Sequence, residues 1–479
     1  MNNPEYIYPK LRYVSAPCGS GKTTAICEII NNSHKKNILV QNTQELIKIT
    51  ADKITNCKYI ITESIMNDES VISAAIEFLE SPCTHNLLIT DKTFFKIPPE
   101  FILGWDVYID DVVNFHSFKI INEINPNVKD IIINNLIRDV ESLDCDEIYI
   151  TAKRNLRVEG EVISMISNQF SILKENDFFI MNNEYFTKKE KKQLNITAWK
   201  DLTVYNKIPI TFFGANFENS LIYKGNKRIF ESVELEGLLT RKTELKDRLK
   251  VFYFSKEITL SKTWKENNSE KVQTIYDYLD SVLEGQEFYW TKNKSDLHSL
   301  RSGTEISPDA RGFNHYQSFS KCVWMACMRP SEAEAKQCEL FFNFSGEDIH
   351  IAREYESLHQ FVLRGISRDF DSTEKQIVYV FDECQAKYLT DNIEYIDLGI
   401  DYKEQGTKGR PLGSKNRKKK FTLHESKATR FRRWKKSNPA LRIEDFVVFM
   451  KSSINTDLNE DEIDAMYKKY EKAVGNKKK

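Results

Sequence analysis

The chain has 479 residues, 41% of them apolar, 29% charged and 12% aromatic. That is the composition of a multi-domain globular protein, and it excludes disorder, collagen and a small disulfide-stapled fold. Lys plus Arg is 69 and Asp plus Glu is 70, but residues 403–479 hold 22 basic against 10 acidic groups, leaving an acidic body with a tail that fits a polyanionic partner. In chain order, Leu11 to Ser15 reads as a strand, Ala16 to Gly21 as a turn-rich loop and Lys22 to Asn31 as a helix with Ala25, Ile26, Ile29 and Ile30 on one side. Strands are expected at Asn37–Gln41, Lys58–Thr62, Asn86–Thr90 and Trp105–Ile109, with a helix from Thr43. Strands alternating with helices predict a parallel sheet covered on both faces. Residues 114–205 read as an inserted helical stretch, and Ile208–Phe213 returns to a buried strand. A second α/β pattern has strands at Val251–Ser255, Glu287–Thr291, Cys322–Met328 and Ile377–Phe381. Residues 403–420 read as a basic linker and 421–479 as a small helical region.

The chemistry concentrates in Ala16, Pro17, Cys18, Gly19, Ser20, Gly21, Lys22, Thr23 and Thr24. This is a phosphate-binding loop, with Ala16 where Gly is commoner. Gly19 and Gly21 let the backbone wrap phosphate oxygens, and the following helix aims its positive end at the same place. Lys22 supplies charge to the outer phosphates, and the Thr23 hydroxyl suits Mg²⁺. ATP and Mg²⁺ are the expected ligands. Val107 to Asp111 is an apolar strand ending in two carboxylates, 88 residues from Lys22 to Asp110. Asp110 is expected to hold the metal and Asp111 to orient the attacking water.

In this order the motifs resemble those of superfamily 2 helicases, which clamp ATP between two RecA-like domains. The resemblance implies that Gln41 and Thr43, after the second strand, and Thr90, after the fourth, touch the nucleic-acid backbone. Phe213-Gly-Ala-Asn216 resembles the motif that links hydrolysis to domain movement. Gly312 and Asn314, in Ser307-Pro-Asp-Ala-Arg-Gly-Phe-Asn314, fall in a nucleotide-contacting motif. Gln360-Phe-Val-Leu-Arg-Gly-Ile-Ser-Arg368 resembles the motif carrying arginine fingers, here Arg364 and Arg368. These are spaced i and i+4 rather than i and i+3, which a helix would keep on one face. Asp111 stands where the family has Glu, one methylene longer, so slow hydrolysis is expected. No adenine-reading Gln motif precedes the loop, so loose base recognition is expected.

Residues 408–420 resemble an AT-hook. Pro411 holds the chain extended, Arg410 suits a narrow A·T minor groove, and Lys415 and Arg417 add phosphate contacts. Duplex DNA is therefore favoured over RNA, with a role in replication and replication proteins as partners. The expected division is 1–235 and 236–402 for two RecA-like lobes, the first interrupted by 114–205. No run approaches the roughly 18 apolar residues of a membrane span, and MNNPEYIYPK has no apolar signal core. A soluble protein of the cytoplasm, nucleus or virus factory is expected. The nine cysteines form no CxxC pair, and Cys322, Cys327 and Cys338, the nearest cluster, lack an adjacent His, so no disulfide framework or zinc site is expected.

Overall fold

The computed structural model describes residues 11–64, 70–112, 115–122, 127–143, 147–155, 170–308 and 315–402. The first lobe is built on seven strands: β1 (Leu11–Ser15), β2 (Lys36–Gln41), β3 (Cys57–Ile60), β4 (Asn86–Thr90), β5 (Trp105–Asp110), β11 (Ile210–Gly214) and β12 (Phe230–Ser232). Their order is β12-β1-β11-β5-β2-β4-β3, and each pairing is parallel. Strands buried on both faces need apolar residues at consecutive positions. Ile38, Val40, Leu87 and Ile89 accordingly point into one core, while Leu39 and Leu88 point into the other. Helix α1 (Lys22–Asn32) covers the second of these with Ile26, Cys27 and Ile30. Because all seven strands run the same way, the loops after β1, β2, β5 and β11 emerge along one edge, the usual ligand edge of a parallel sheet.

The second lobe has six parallel strands: β13 (Leu249–Ser255), β14 (Tyr289–Thr291), β15 (Thr304–Glu305), β16 (Lys321–Trp324), β17 (Gln376–Asp382) and β18 (Ile393–Tyr395), ordered β15-β14-β16-β17-β13-β18. One face packs Val251, Trp324, Val378 and Val380 against Leu358, Phe361 and Val362 of the Glu356–Val362 helix. The other packs Phe254, Val323 and Phe381 against Ile275, Tyr276 and Leu279 of the Ser269–Val282 helix. Two parallel-sheet α/β lobes are present as expected. Among the described residues no helix is long and apolar enough to cross a membrane.

The insertion differs from the helical stretch expected: among the described residues its framework is a five-stranded antiparallel sheet between β5 and β11, of β6 (His116–Asn122), β7 (Ile137–Ser142), β8 (Tyr149–Arg154), β9 (Phe178–Asn182) and β10 (Gln193–Trp199), ordered β6-β10-β9-β8-β7, with only short helical turns between strands. The physical signal is a period of two. Leu194, Ile196 and Ala198 face the insertion's own core with Phe179 and Met181. From the opposite face, Ile180 and Trp199 join the core of the first lobe.

That opposite face also meets the second lobe. Thr197 Oγ1 donates to Gln337 Oε1 at 2.6 Å, and Gln337 Nε2 donates to the Asn195 carbonyl at 3.1 Å. The Trp199 ring lies 4.6 Å from Phe341, centroid to centroid. His116 Nε2 sits 3.0 Å from Glu334 Oε1, and Arg353 grips Glu334 with two arms, Nη1 to Oε2 at 3.1 Å and Nη2 to Oε1. Burial alone would raise the Glu334 carboxyl, but the bonds from His116 and Arg353 outweigh it and hold it down at about 2. The insertion is thus rooted in one lobe and clasped by the other.

Candidate nucleotide site

The loop after β1 is shaped by its glycines. Gly19 and Gly21 have φ of 83° and 93°, in the left-handed region that side chains resist. A Cβ on Gly19 would also come within 3.0 Å of Phe370 Cε2. Gly21 is the N-cap of α1, so the first N–H groups of that helix face the hollow of the loop. Across the loop, Ala16 N donates to the Gly214 carbonyl at 2.9 Å, tying it to β11. Lys22 Nζ donates to the carbonyls of Ala16 at 2.7 Å and Pro17 at 2.8 Å. Ala16 and Ser20 are buried beneath, while Cys18, Gly19, Gly21, Lys22, Thr23 and Thr24 line a cavity of 340 Å³.

Asp110 and Asp111, at the end of β5, wall the same cavity. Asp110 Oδ2 accepts from Thr23 Oγ1 at 2.8 Å and from Gln41 Nε2 at 2.9 Å. Burial pushes the Asp110 carboxyl up, against the pull of the Gln41 and Thr23 bonds and the Lys22 charge. A buried carboxylate beside a threonine hydroxyl, short of positive charge, fits a Mg²⁺ ion that keeps its other positions for phosphate and water. Asp111 takes a φ of 99°. Its N–H donates to the Phe213 carbonyl at 2.7 Å, and its Oδ1 accepts from Val112 N at 2.7 Å. A side chain held at positive φ costs of order 1–3 kcal/mol and marks a position the surroundings over-determine.

The second lobe contributes Gln360, Arg364 and Arg368 to this cavity. The arginines do not share a helix face as the spacing suggested. The Glu356–Val362 helix stops short of Arg364, and Arg368 ends a 3-10 turn at Ile366–Arg368. The helix is capped at Leu363, Gly365 opens the 3-10 turn, and that turn brings both arginines to the same cavity. Burial, then the charges of Arg364 and Arg241, lower Arg368 to about 10, which leaves it cationic at neutral pH. Cations crowded together and short of solvent call for an anion.

Arg241 carries no signal in the sequence. Its Nη1 donates to the Ser367 carbonyl at 2.6 Å and its Nη2 to the Cys18 carbonyl at 3.4 Å, while the guanidinium lies 3.9 Å from the centre of the Phe370 ring. It thereby ties the phosphate loop to the arginine turn. No local pattern marks it, because it sits in an irregular connection and acts on carbonyls distant in sequence.

Other expected residues lie elsewhere. Gln41 is fully buried and donates to Asp110 and, at 3.1 Å, to Thr50 Oγ1, so it serves the carboxylate instead of a nucleic-acid backbone. Thr43 caps helix α2 (Gln44–Ala51), accepting from Leu46 N at 3.2 Å, and lines the nucleotide cavity. Thr90 caps the turn after β4, accepting from Thr93 N at 3.2 Å. Gly312, Asn314, Arg410, Pro411, Lys415 and Arg417 lie outside the described residues.

No protein-family model matches the sequence, and no curated protein does. Solved helicase structures are similar over most of the chain. Xpd4 of S. tokodaii is 11% identical with a TM-score of 0.43, covering 81% of this chain and 96% of its own. Dbp5 of S. cerevisiae, bound to RNA and ADP BeF3, is 12% identical with a TM-score of 0.34, covering 83% and 86%. The arterivirus nonstructural protein 10 helicase is 10% identical with a TM-score of 0.30, covering 79% and 62%.

Proposed function

We propose that this chain is an ATP-dependent nucleic-acid translocase or helicase of the superfamily 2 type, acting on DNA in preference to RNA, with residues 1–235 and 236–402 as its two motor lobes. One observation carries the reading. A single cavity is walled by the phosphate loop, Thr23 and the Asp110–Asp111 pair from one lobe and by Arg364 and Arg368 from the other. Lys22 leaves the Ala16 and Pro17 carbonyls to hold the outer phosphates, with the N-terminus of α1 beneath them. Thr23 and Asp110 would hold Mg²⁺, which would supply charge neutralisation at the phosphates. Asp111 orients the attacking water. Arg364 and Arg368 stabilise the charge that grows as the γ-phosphoryl group departs, a role worth about 10³–10⁵ in rate for a full arginine finger. Lobe closure is then part of the chemistry, because the two halves of the site belong to different lobes.

The order of the motifs and the basic segment 403–479 support nucleic acid as the partner, and the Gly409-Arg410-Pro411 core supports A·T-rich duplex. The replication role rests on the same resemblance. Steady-state ATP turnover tests the reading, measured alone and with single-stranded DNA, duplex DNA or RNA, on the full chain and on a chain cut after Tyr402. Stimulation by DNA above RNA is expected, with basal turnover kept in the shorter chain. The cut should also flatten the salt dependence of duplex binding by about 0.9 in logarithmic slope for each phosphate no longer neutralised. A second reading, a nucleotide switch without a motor, is favoured by the short Asp111 carboxylate bonded to Val112 N. Nucleotide binding with no turnover under any condition would select it.

A further inference from the structure

One helical segment of the second lobe reaches the nucleotide cavity, the turn after β11 and the insertion. It runs through a π turn at Ile351–Tyr355 into the Glu356–Val362 helix. Arg353, Glu356 and Gln360 recur at intervals of three and four along it, the spacing of one face. Arg353 holds Glu334 and His116 at the insertion clasp. Gln360 lines the nucleotide cavity. Between them, Glu356 is 8% exposed and its carboxylate accepts two amides. Gln360 Nε2 donates to its Oε1 at 3.1 Å, and Asn216 Nδ2, from the first lobe, donates to its Oε2 at 3.0 Å.

We infer that Glu356 is a positioning residue for nucleotide turnover, a buried carboxylate that joins the turn after β11 to Gln360 across the lobe cleft; the inference rests on the ATPase reading above. Three features of the chain fit this bridge. Asn216 adopts φ 47° and ψ 43°, a left-handed conformation that Asn tolerates better than other side chains. Gly214 has no room for a Cβ, which would fall 2.7 Å from Val112 Cγ2. Gly214 thus fits close packing, and Asn216 the reach of an amide towards Glu356. Third, committing the Gln360 amide nitrogen to Glu356 leaves its carbonyl to accept a hydrogen bond from water in the cavity that Asp111 also lines. A second acceptor there offsets the carboxylate that is one methylene short. The bridge also requires both lobes to be in place, so it makes water positioning conditional on closure.

The test uses the full chain and its Glu356→Ala, Glu356→Gln, Asn216→Ala and Asn216→Ala/Glu356→Ala variants, reading kcat, KM and the Kd of a fluorescent ATP analogue. Misplacing a reacting group by about 1 Å costs on the order of 100-fold. Glu356→Ala is therefore expected to lower kcat roughly 10- to 100-fold with nucleotide Kd within about threefold. Glu356→Gln, which keeps one acceptor oxygen, falls between, and it carries the test should the alanine variant fail to fold. The double variant should be no slower than Glu356→Ala alone, since both changes break one unit. Wild-type kcat in both Glu356 variants, with Lys22→Ala inactive in the same assay, would overturn the bridge and leave the ATPase reading standing. So would additive effects of the two substitutions, or a fall in affinity equal to the fall in rate. Absence of turnover in the wild-type chain would remove both.

Discussion

Among the described residues, two seams between the lobes are built from opposite materials. At the nucleotide seam, Lys22, Arg364 and Arg368 from the two lobes face a cavity of 340 Å³ with Asp110 and Asp111. At the insertion seam, His116, Glu334, Thr197 and Gln337 are buried and bonded to one another in pairs, with Trp199 and Phe341 in ring contact. The first seam gathers charge around an open cavity. The second packs its polar groups against one another. A crowd of like charges favours opening until an anion arrives, whereas a desolvated, paired seam resists opening because any separation exposes unpaired buried groups. The difference teaches where motion belongs. On the proposed function, nucleotide would close and open one seam while the insertion holds the other, and the helical segment carrying Arg353, Glu356 and Gln360 touches both.

Substitutions on each side sharpen this contrast. The largest effect is expected for Lys22→Ala, which should abolish turnover, by about 10³-fold or more, since its charge serves the departing phosphoryl group. Its melting temperature should match the wild type, because the Lys22 ammonium bonds the carbonyls of its own loop. A variant still hydrolysing ATP near the native rate would break the assignment of this seam. Glu334→Ala should do the reverse. Removing a member of a fully buried ion pair costs about 3–5 kcal/mol; because Arg353 is partly exposed, a loss below that range is expected, read by thermal or urea unfolding, with nucleotide Kd little changed. If stability holds and nucleotide binding fails instead, the seams are not separable.

Acidity gives a gentler handle on the second seam. The Glu334 carboxyl is depressed from 4.5 to about 2, so its pair stabilises the fold fully above pH 4.5 and loses that contribution as pH falls towards 2. Glu334→Gln should flatten stability against pH across that window, and an unchanged acid limb would contradict the pairing. The smallest effect is expected at Asp111. Asp111→Glu lengthens the carboxylate by one methylene and should raise turnover about threefold, as better water positioning would. A fall would show that the positive-φ backbone already compensates for the short side chain.

The first seam is legible in the sequence because its determinants are local. Gly19, Gly21, Lys22 and Thr23 sit within five residues, and Asp110 ends an apolar strand. Parallel strands such as β2 and β4 announce themselves by continuous apolar runs. The insertion reads wrongly as helical because its strands expose one edge to water and interleave Lys, Asn and Glu with small apolar residues, as in Thr151-Ala-Lys-Arg154, a composition that also suits a helix. Gln41 is misplaced for a related reason. It closes β2, and that it points inward to Asp110 depends on the pairing of β2 with β5. The Arg364–Arg368 spacing is sound as a pair and wrong as a helix, because the helix is capped at Leu363 before either arginine and Arg368 lies on a separate 3-10 turn. Arg241 and Glu356 have no sequence signal, since each acts on a partner in the other lobe that lies far away along the chain. Glu334 also gives none: its partner Arg353 is only 19 residues away, but the two lie on different helical segments and meet through packing alone.

The most direct measurement is single-turnover ATP hydrolysis by Arg364→Ala and Arg368→Ala, set beside their nucleotide Kd. If the site is assembled from both lobes, the rate falls by on the order of 10²–10³ for each arginine, while Kd stays within about threefold. Unchanged rates, or a fall in affinity that accounts for the whole fall in rate, would contradict it.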